Sequence, residues 1–199
     1  MPIVQISSAP ASDLLISSPE TFQTVPASLK NAAGYKGGYY GLGLEDGKVA
    51  HWVAIWESDE LRQKFGADPA SAEAIEQLKK GIAGPPTRIG INSSTDPTAA
   101  LTSPAVEIAT FTAKGGESDK LLSLVGELAK GLEASAGIHK PIVYGPTVED
   151  ANKVVLLAGW DSAEAHQAVV KGGSLSGVFG QITAIADFTV GHSALKATA

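Results

Sequence analysis

The pattern of hydrophobic and polar positions in the first half of the chain predicts strands separated by helices. Short apolar or alternating runs predict strands at residues 3–7, 38–45, 48–56 and 86–92. Helix-start and helix-stop signals predict three helical segments: 19–33 with a kink at Pro26, one that begins after Ser58, and 69–82. The Asp46-Gly47 dipeptide predicts a hairpin turn between the two central strands. The predicted order is strand, helix, strand, strand, helix, strand.

The second half of the chain predicts the same order of elements. The strands are expected at 105–113, in IVYGPTVE and KVVLLAGW, and at about 182–190. Leucine and valine at helical spacing predict a long helix at 117–135, and Ser162 is a natural N-cap for a helix that runs to about Val170. A Gly/Ser-rich segment at 172–180 then interrupts the helix, and we interpret it either as a lid or mouth loop or as a simple helix break.

The chain repeats itself with an offset of 104 residues. Residues 40–64 return as 144–168 with nine identities, which are Tyr40, Gly41, Glu45, Asp46, Ala54, Trp56, Ser58, Glu60 and Gln63 and their counterparts. Self-similarity over a whole set of elements indicates duplication of one module. We therefore predict a first module at 1–95, a polar linker at 96–103 and a second module at 104–199.

The predicted element order is that of a ferredoxin-like α+β module. In the strand at 48–56, alternate side chains point to opposite faces of the sheet, and both faces are mostly apolar. A sheet with two apolar faces must be covered on both sides. Helices of the same module cover one face, so we expect the sheet of the second copy to cover the other, as in a dimer of two subunits.

Composition excludes several classes of partner. The 199 residues carry a formal net charge of -6 without a cluster of Lys or Arg, which argues against binding of nucleic acid or of an anionic membrane. No apolar run is long enough to span a membrane, and no signal peptide is recognised, so a cytoplasmic location is expected. The absence of cysteine excludes disulfides, thiolate metal sites and cysteine nucleophiles.

Two related motifs carry a resemblance to a known family. KVAHWVAIWESDE in the first copy and KVVLLAGWDSAE in the second resemble the dimeric α+β barrel superfamily, and within it the antibiotic-biosynthesis-monooxygenase (ABM) domain in a tandem form found in fungal proteins. The resemblance implies an intramolecular, pseudo-dimeric α+β barrel. Members of the superfamily include cofactor-free monooxygenases, haem-degrading enzymes, polyketide cyclases and isomerases, and the fold alone does not choose among them. We predict no cofactor, and haem is only the third possibility because no His occupies a repeated position. It covers nearly the whole chain, once per copy.

The chain also departs from the pattern of that family. Many ABM domains have an acidic residue two positions before this Trp and a His about nine positions after it. Here the first position holds Ala54 and Ala158, and the second holds Phe65 and Val169. Transfer of any one activity from the family is therefore in doubt.

Three histidines are the candidate catalytic residues: His51, His139 and His192. His51 either faces a pocket or is a hydrogen-bonded core residue. His139 corresponds to Tyr35 in the repeat, and both are proton donors or conventional polar strand entries. His192 follows the last strand, where it lines a cavity or belongs to the tail. His166 is expected to face solvent, and no two histidines have metal-ligand spacing, so no metal is predicted.

The candidate substrate contacts are aromatic side chains, one of which lies at a strand entry: Tyr35, Tyr40, Trp52, Tyr144 and Phe188. Such rings stack on flat organic ligands, although they also serve as sheet core. The first functional hypothesis is a cofactor-independent monooxygenase, cyclase or isomerase that acts on an aromatic or polyketide-like molecule by proton transfer through His or Tyr. The alternative is a non-catalytic binding or interaction module that retains the fold. Further association into a homodimer is left open.

Overall fold

The computed structural model describes residues 2–93 and 95–199, and these form two compact units. One unit contains the residues up to Gly90 together with Leu195–Ala199, and the other is Ile91–Ala194. The last five residues of the chain thus belong to the first unit, where the backbone N–H and the hydroxyl of Thr198 both donate to the carbonyl oxygen of Gly38, at 2.9 and 3.1 Å.

The elements of the first half follow the predicted order. In chain order they are β1 (Ile3–Pro10), α1 (Asp13–Ser17), a 3₁₀ helix (Pro19–Phe22), α2 (Ala27–Lys30), β2 (Tyr35–Gly43), β3 (Val49–Trp56), α3 (Asp59–Ala67), α4 (Ser71–Lys80) and β4 (Thr87–Asn92). The strands lie in the order β4-β1-β3-β2. Strand β3 pairs antiparallel with β1, and Gln5 lies opposite Ala54.

Two local predictions in the first unit are confirmed by the helix ends. The predicted interruption at Pro26 is present, because residues 23–26 separate the 3₁₀ helix from α2, but only Pro19–Phe22 and Ala27–Lys30 of the predicted helix 19–33 are helical. Ser58 is the N-cap of α3, and its hydroxyl accepts a hydrogen bond from the backbone N–H of Leu61 at 3.3 Å. The motif that follows Trp56 therefore fixes where the chain leaves the sheet and enters a helix.

The second half repeats this arrangement. Its elements are α5 (Thr98–Leu101), β5 (Ala105–Ala113), α6 (Ser118–Leu132), β6 (Ile138–Pro146), β7 (Lys153–Trp160), α7 (Ala163–Gly172), α8 (Ser176–Ile185) and β8 (Ala186–Ala197). The strands lie in the order β8-β5-β7-β6. Ser162 caps α7 and accepts from the N–H of Ala165 at 3.2 Å, as predicted. Both modules are therefore ferredoxin-like, and the predicted α+β class is confirmed.

The Gly/Ser-rich segment is more ordered than predicted. Residues 176–185 form α8 instead of a loop, and the last strand begins at Ala186 instead of at about residue 182. The physical reason is the apolar face of this helix, since Ile182 is fully buried in the core and Val178 and Phe179 pack against it. The core contacts outweigh the low helix propensity of the glycines.

The segment expected to be a linker includes a short helix that packs on the second unit. Within α5, Ala100 and Leu101 are fully buried. Gly159 on β7 permits this close approach, because a Cβ at that position would lie 2.9 Å from the Cα of Ala100.

Each unit has its own buried apolar side chains. The second unit has a continuous core in which α6, α8 and the sheet interdigitate, with Phe111, Leu121, Leu156 and Trp160 among its fully buried side chains. One cluster of the first unit contains Leu15, Phe22 and Tyr40. Among the described residues, no helix is long and apolar enough to cross a membrane.

Candidate functional site

A cavity of about 190 Å³ lies within the first unit. Its wall contains aromatic side chains from the 3₁₀ helix, β2, β3 and α3, namely Phe22, Tyr35, Tyr39, Trp52, Trp56 and Phe65. Trp56 is the centre of this group, because its ring contacts those of Tyr35 and Phe65 with centroid separations of 5.6 and 5.5 Å. The cavity is therefore framed by flat rings that are already packed against one another.

The charged side chains in the cavity wall are both arginines. Arg62 and Arg88 line the cavity, as does Tyr35. Burial raises the pKa of Tyr35, against a smaller opposing effect of the neighbouring Thr198 hydroxyl, so the phenol is protonated at neutral pH. None of the residues that line the cavity, all of them in the described part of the chain, is an Asp, a Glu or a His.

The ring of Trp56 lines the cavity, but its indole N–H is buried. Trp56 is almost fully buried, and within residues 2–93 and 95–199 its Nε1 has no hydrogen-bond partner. A buried donor without an acceptor is rare in folded proteins and costs free energy.

The second unit holds a cluster of titratable side chains instead. Glu107 on β5 lies directly opposite His192 on β8, and His166 reaches both from α7. The Nδ1 of His166 is 2.9 Å from the Nε2 of His192, and its Nε2 is 3.7 Å from Oε2 of Glu107. The indole Nε1 of Trp160 donates to the same carboxylate oxygen at 2.8 Å.

Burial controls the electrostatics of this cluster. Glu107 and His192 are only 4% and 6% exposed. Desolvation raises the pKa of Glu107, although the hydrogen bond from Trp160 opposes the shift. Desolvation, with a further contribution from His192, lowers the pKa of His166 to about 4. The imidazole of His166 is thus neutral at pH 7 and retains a lone pair for a proton or an ion.

The cavity wall and the cluster use corresponding positions of the two copies. The offset of 104 relates Trp56 to Trp160, Arg62 to His166 and Arg88 to His192. The strand register adds the fourth pair, since Gln5 lies opposite Ala54 and Glu107 lies opposite Ala158. The corresponding positions therefore form an arginine-containing cavity in the first unit and a Glu-His-His cluster in the second.

The three histidines predicted to be catalytic have different environments. His51 is in the first unit, where its Nδ1 lies 2.9 Å from the Ser8 hydroxyl, and it is not among the residues that line the cavity. Burial lowers its pKa to about 4. His139 is in the second unit, at the surface, with its Nε2 2.9 Å from a carboxylate oxygen of Asp161. Only His192 lies in the Glu-His-His cluster.

The predicted substrate contacts are also divided. Tyr35 and Trp52 line the cavity of the first unit, whereas Tyr40 is buried in the neighbouring core cluster. Tyr144 and Phe188 are in the second unit and are 36% and 44% exposed. The ring of Phe188 packs against Phe111 and Phe179.

Sequence reasoning missed two members of the cluster. His166 was expected to face solvent, but only 12% of its side chain is exposed, because it packs on the ring of Trp160 at 5.0 Å. Glu107 was not considered. The available signal was a charged residue in the middle of the apolar strand AVEIATFTA, where a buried carboxylate needs a specific partner.

The sequence of the second unit matches a known family. Residues 104–174 match the model of the family described as antibiotic biosynthesis monooxygenase. The match covers only this segment of the second unit. A comparison with curated proteins gives no match.

Solved structures similar to this chain cover nearly all of it. A candidate monooxygenase from Fusobacterium nucleatum matches with a TM-score of 0.72 and 10% identity, over 99% of this chain and 94% of its own. A second, from Lactobacillus acidophilus, matches with a TM-score of 0.67 and 13% identity, over 99% and 95%. An anthrone-oxidase-like protein matches with a TM-score of 0.75 and 12% identity, over 98% and 92%. At these identities the likeness shows the fold, and the chemistry has to be argued from the residues.

Proposed function

We propose that the chain binds a small aromatic anion in the cavity of the first unit. The observation that carries this proposal is the composition of the cavity wall, in which six aromatic side chains and two arginines surround one space and no Asp or Glu is present among the lining residues. Aromatic walls with a few oriented polar groups are typical of sites for small organic molecules.

The cavity volume limits the size of the ligand. An apolar cavity of ~150 Å³ is large enough to hold benzene. The cavity of about 190 Å³ therefore suits a molecule of one or two rings. Because Arg88 is exposed at its edge, a ligand that carries a polar substituent can keep that group near solvent.

The charges favour an anionic ligand. Arg62 is held by Asp59, with its Nε donating to the carboxylate at 2.7 Å, so its charge is partly compensated. Arg88 forms no ion pair with any residue of the described ranges 2–93 and 95–199. A carboxylate, phenolate or enolate would pair with this guanidinium while its ring stacks on the aromatic wall.

Isothermal titration calorimetry with a matched pair of ligands tests the proposal. The probes are 2-naphthoate and the uncharged 2-naphthalenemethanol, which share the ring system. We expect naphthoate to bind more tightly, and Arg88→Gln to lower its affinity about tenfold, the loss expected for ~1.5 kcal/mol from a charged hydrogen bond.

Lys79→Gln is the matched control, because it removes one positive charge from the same unit at a side chain that pairs with Glu76 outside the cavity. This control should bind both probes as the unmodified protein does. Equal affinity for the two probes, or equal losses in Arg88→Gln and Lys79→Gln, would contradict the proposal.

We propose cofactor-independent oxygenation as a second candidate function, because the ABM domain and the monooxygenase-like fold favour it. The cavity wall has no carboxylate or imidazole to remove a proton, so the substrate would have to enter already deprotonated and be held as an anion by the arginines. An activated CH2 group and one O2 would then give a carbonyl and one water.

Oxygen consumption separates the two functions. An oxygen electrode follows O2 while the protein is mixed with an acidic aromatic compound that carries an activated CH2 group and binds in the calorimeter. Uptake of one O2 per molecule oxidised, lowered in Arg88→Gln but not in Lys79→Gln, would support oxygenation. Binding without O2 uptake would leave the binding function as the better account.

A further inference from the structure

We propose that Glu107, His166 and His192 bind a divalent transition-metal ion in the second unit, with Zn²⁺ as the best match. Each residue offers one donor atom, and these three atoms all lie within 4.8 Å of one another. The donors come from β5, α7 and β8, so their convergence depends on the fold and not on sequence spacing. This site is separate from the cavity of the first unit.

The distances suit an ion with short bonds. Donors around a tetrahedral zinc with bonds of ~2.0–2.1 Å are about 3.3 Å apart. The two contacts of His166 involve different ring nitrogens, since Nε2 lies 3.7 Å from Oε2 of Glu107 and Nδ1 lies 2.9 Å from Nε2 of His192. One ion takes only one of these nitrogens, so metal binding would break the hydrogen bond between the two imidazoles and draw in three donors that now lie within 4.8 Å of one another.

A bound cation would also compensate the buried negative charge of the Glu107 carboxylate. The buried carboxylate of Glu107 receives a hydrogen bond from Trp160 and lies near His166, and no Lys or Arg pairs with it among the described residues. A buried carboxylate without a full positive charge is costly.

The surroundings of the three residues hold them in place. Glu107 and His192 are directly opposite each other on paired strands, so their separation is set by the sheet. Trp160 orients the carboxylate through its indole N–H at 2.8 Å, as an outer partner of a metal ligand commonly does. His166 follows the capped start of α7 and is the most exposed of the three, which gives an ion a route of entry.

The donor set selects the class of metal. Two imidazoles and one carboxylate suit Zn²⁺ and other first-row divalent ions, with the remaining coordination position open for water or substrate. Ca²⁺ and Mg²⁺ prefer sites made of oxygen atoms. We therefore expect Zn²⁺ and Co²⁺ to bind and Ca²⁺ not to bind.

Metal titration of the full chain tests the proposal. Protein treated with a chelator and then freed of it is titrated with Zn²⁺ by calorimetry and with Co²⁺ by visible absorption. We expect one equivalent of metal to bind, with an absorption spectrum of four- or five-coordinate Co²⁺. His192→Ala should lower the affinity by more than ~100-fold, because even partners outside the coordination sphere contribute ~10–100-fold.

Two further variants separate a loss of metal binding from a folding defect. Glu107→Gln preserves the shape of the buried side chain and should also lose binding, so a folding defect in His192→Ala does not decide the result. His139→Ala removes an exposed histidine that pairs with Asp161 and should bind metal as the unmodified protein does. Failure to bind Zn²⁺ or Co²⁺, retained affinity in Glu107→Gln, or loss of binding in His139→Ala would overturn the proposal.

Discussion

Replacement of the two repeat-related tryptophans by phenylalanine should have unequal effects on stability. Trp56 and Trp160 are 2% and 0% exposed, so Trp→Phe removes a similar apolar area at both positions. Their indole N–H groups differ, because that of Trp160 donates to Glu107 at 2.8 Å whereas that of Trp56 has no acceptor in the described part of the chain. The comparison therefore isolates one buried hydrogen bond.

The expected difference follows from that hydrogen bond. A hydrogen bond to a charged group contributes ~1.5–3 kcal/mol, and its removal also leaves the carboxylate of Glu107 without its donor. Loss of the unsatisfied N–H of Trp56 carries no such cost. Trp160→Phe should thus lower the free energy of unfolding by ~1.5–3 kcal/mol more than Trp56→Phe does. For a chain of this size that corresponds to ~2–4 °C of Tm per kcal/mol.

Urea denaturation followed by far-UV circular dichroism measures the difference. Both variants are compared with the unmodified protein at pH 7 in the presence of a chelator, and a constant m-value shows that the transition is comparable. A cost for Trp56→Phe equal to or larger than that for Trp160→Phe would refute the assignment of the hydrogen bond to the second copy alone.

Two further predictions concern pH and backbone packing. The pKa of His51 is about 4 in the folded protein and about 6.5 when unfolded, so the unfolded chain binds more protons below pH 6.5 and stability falls as pH decreases. The free energy of unfolding falls between pH 7 and pH 4.5, and this decrease should be up to about 2.5 kcal/mol smaller in His51→Val than in the unmodified protein. Equal decreases in the two proteins would contradict the assignment of this pH dependence to His51. Gly159→Ala should lower the free energy of unfolding by ~1–3 kcal/mol, because the new Cβ would clash with α5. Gly180→Ala in α8 should raise it by ~0.5–1 kcal/mol, because the new Cβ meets no other atom and alanine favours the helix. Thermal melts that show the opposite order would contradict this packing.

The elements of the fold could be predicted because their signals are local. The N-cap serines after both tryptophans, the leucine spacing of α6 and the break at Pro26 each depend on a few neighbouring residues. Helix α8 was missed for the opposite reason. Its glycines and serines are poor helix formers, and the burial of Ile182 that stabilises the helix is a tertiary contact.

The cavity and the Glu-His-His cluster could not be predicted from local sequence signals, because they depend on strand register and helix packing. The family's acidic position before the second Trp holds Ala158, and the chain instead supplies Glu107 from the paired strand directly opposite. His166 enters the cluster because α7 packs over the sheet. Whether a module keeps a cavity or fills it depends on helix packing, which is a tertiary property.

A crystal structure of the chain soaked with 2-naphthoate tests the central claim most directly. The account predicts the naphthalene ring within the aromatic wall of the first unit, between Trp52 and Trp56. Its carboxylate should lie within hydrogen-bond distance of the guanidinium of Arg88. An empty cavity at a saturating concentration, or naphthoate bound only outside it, would contradict the account.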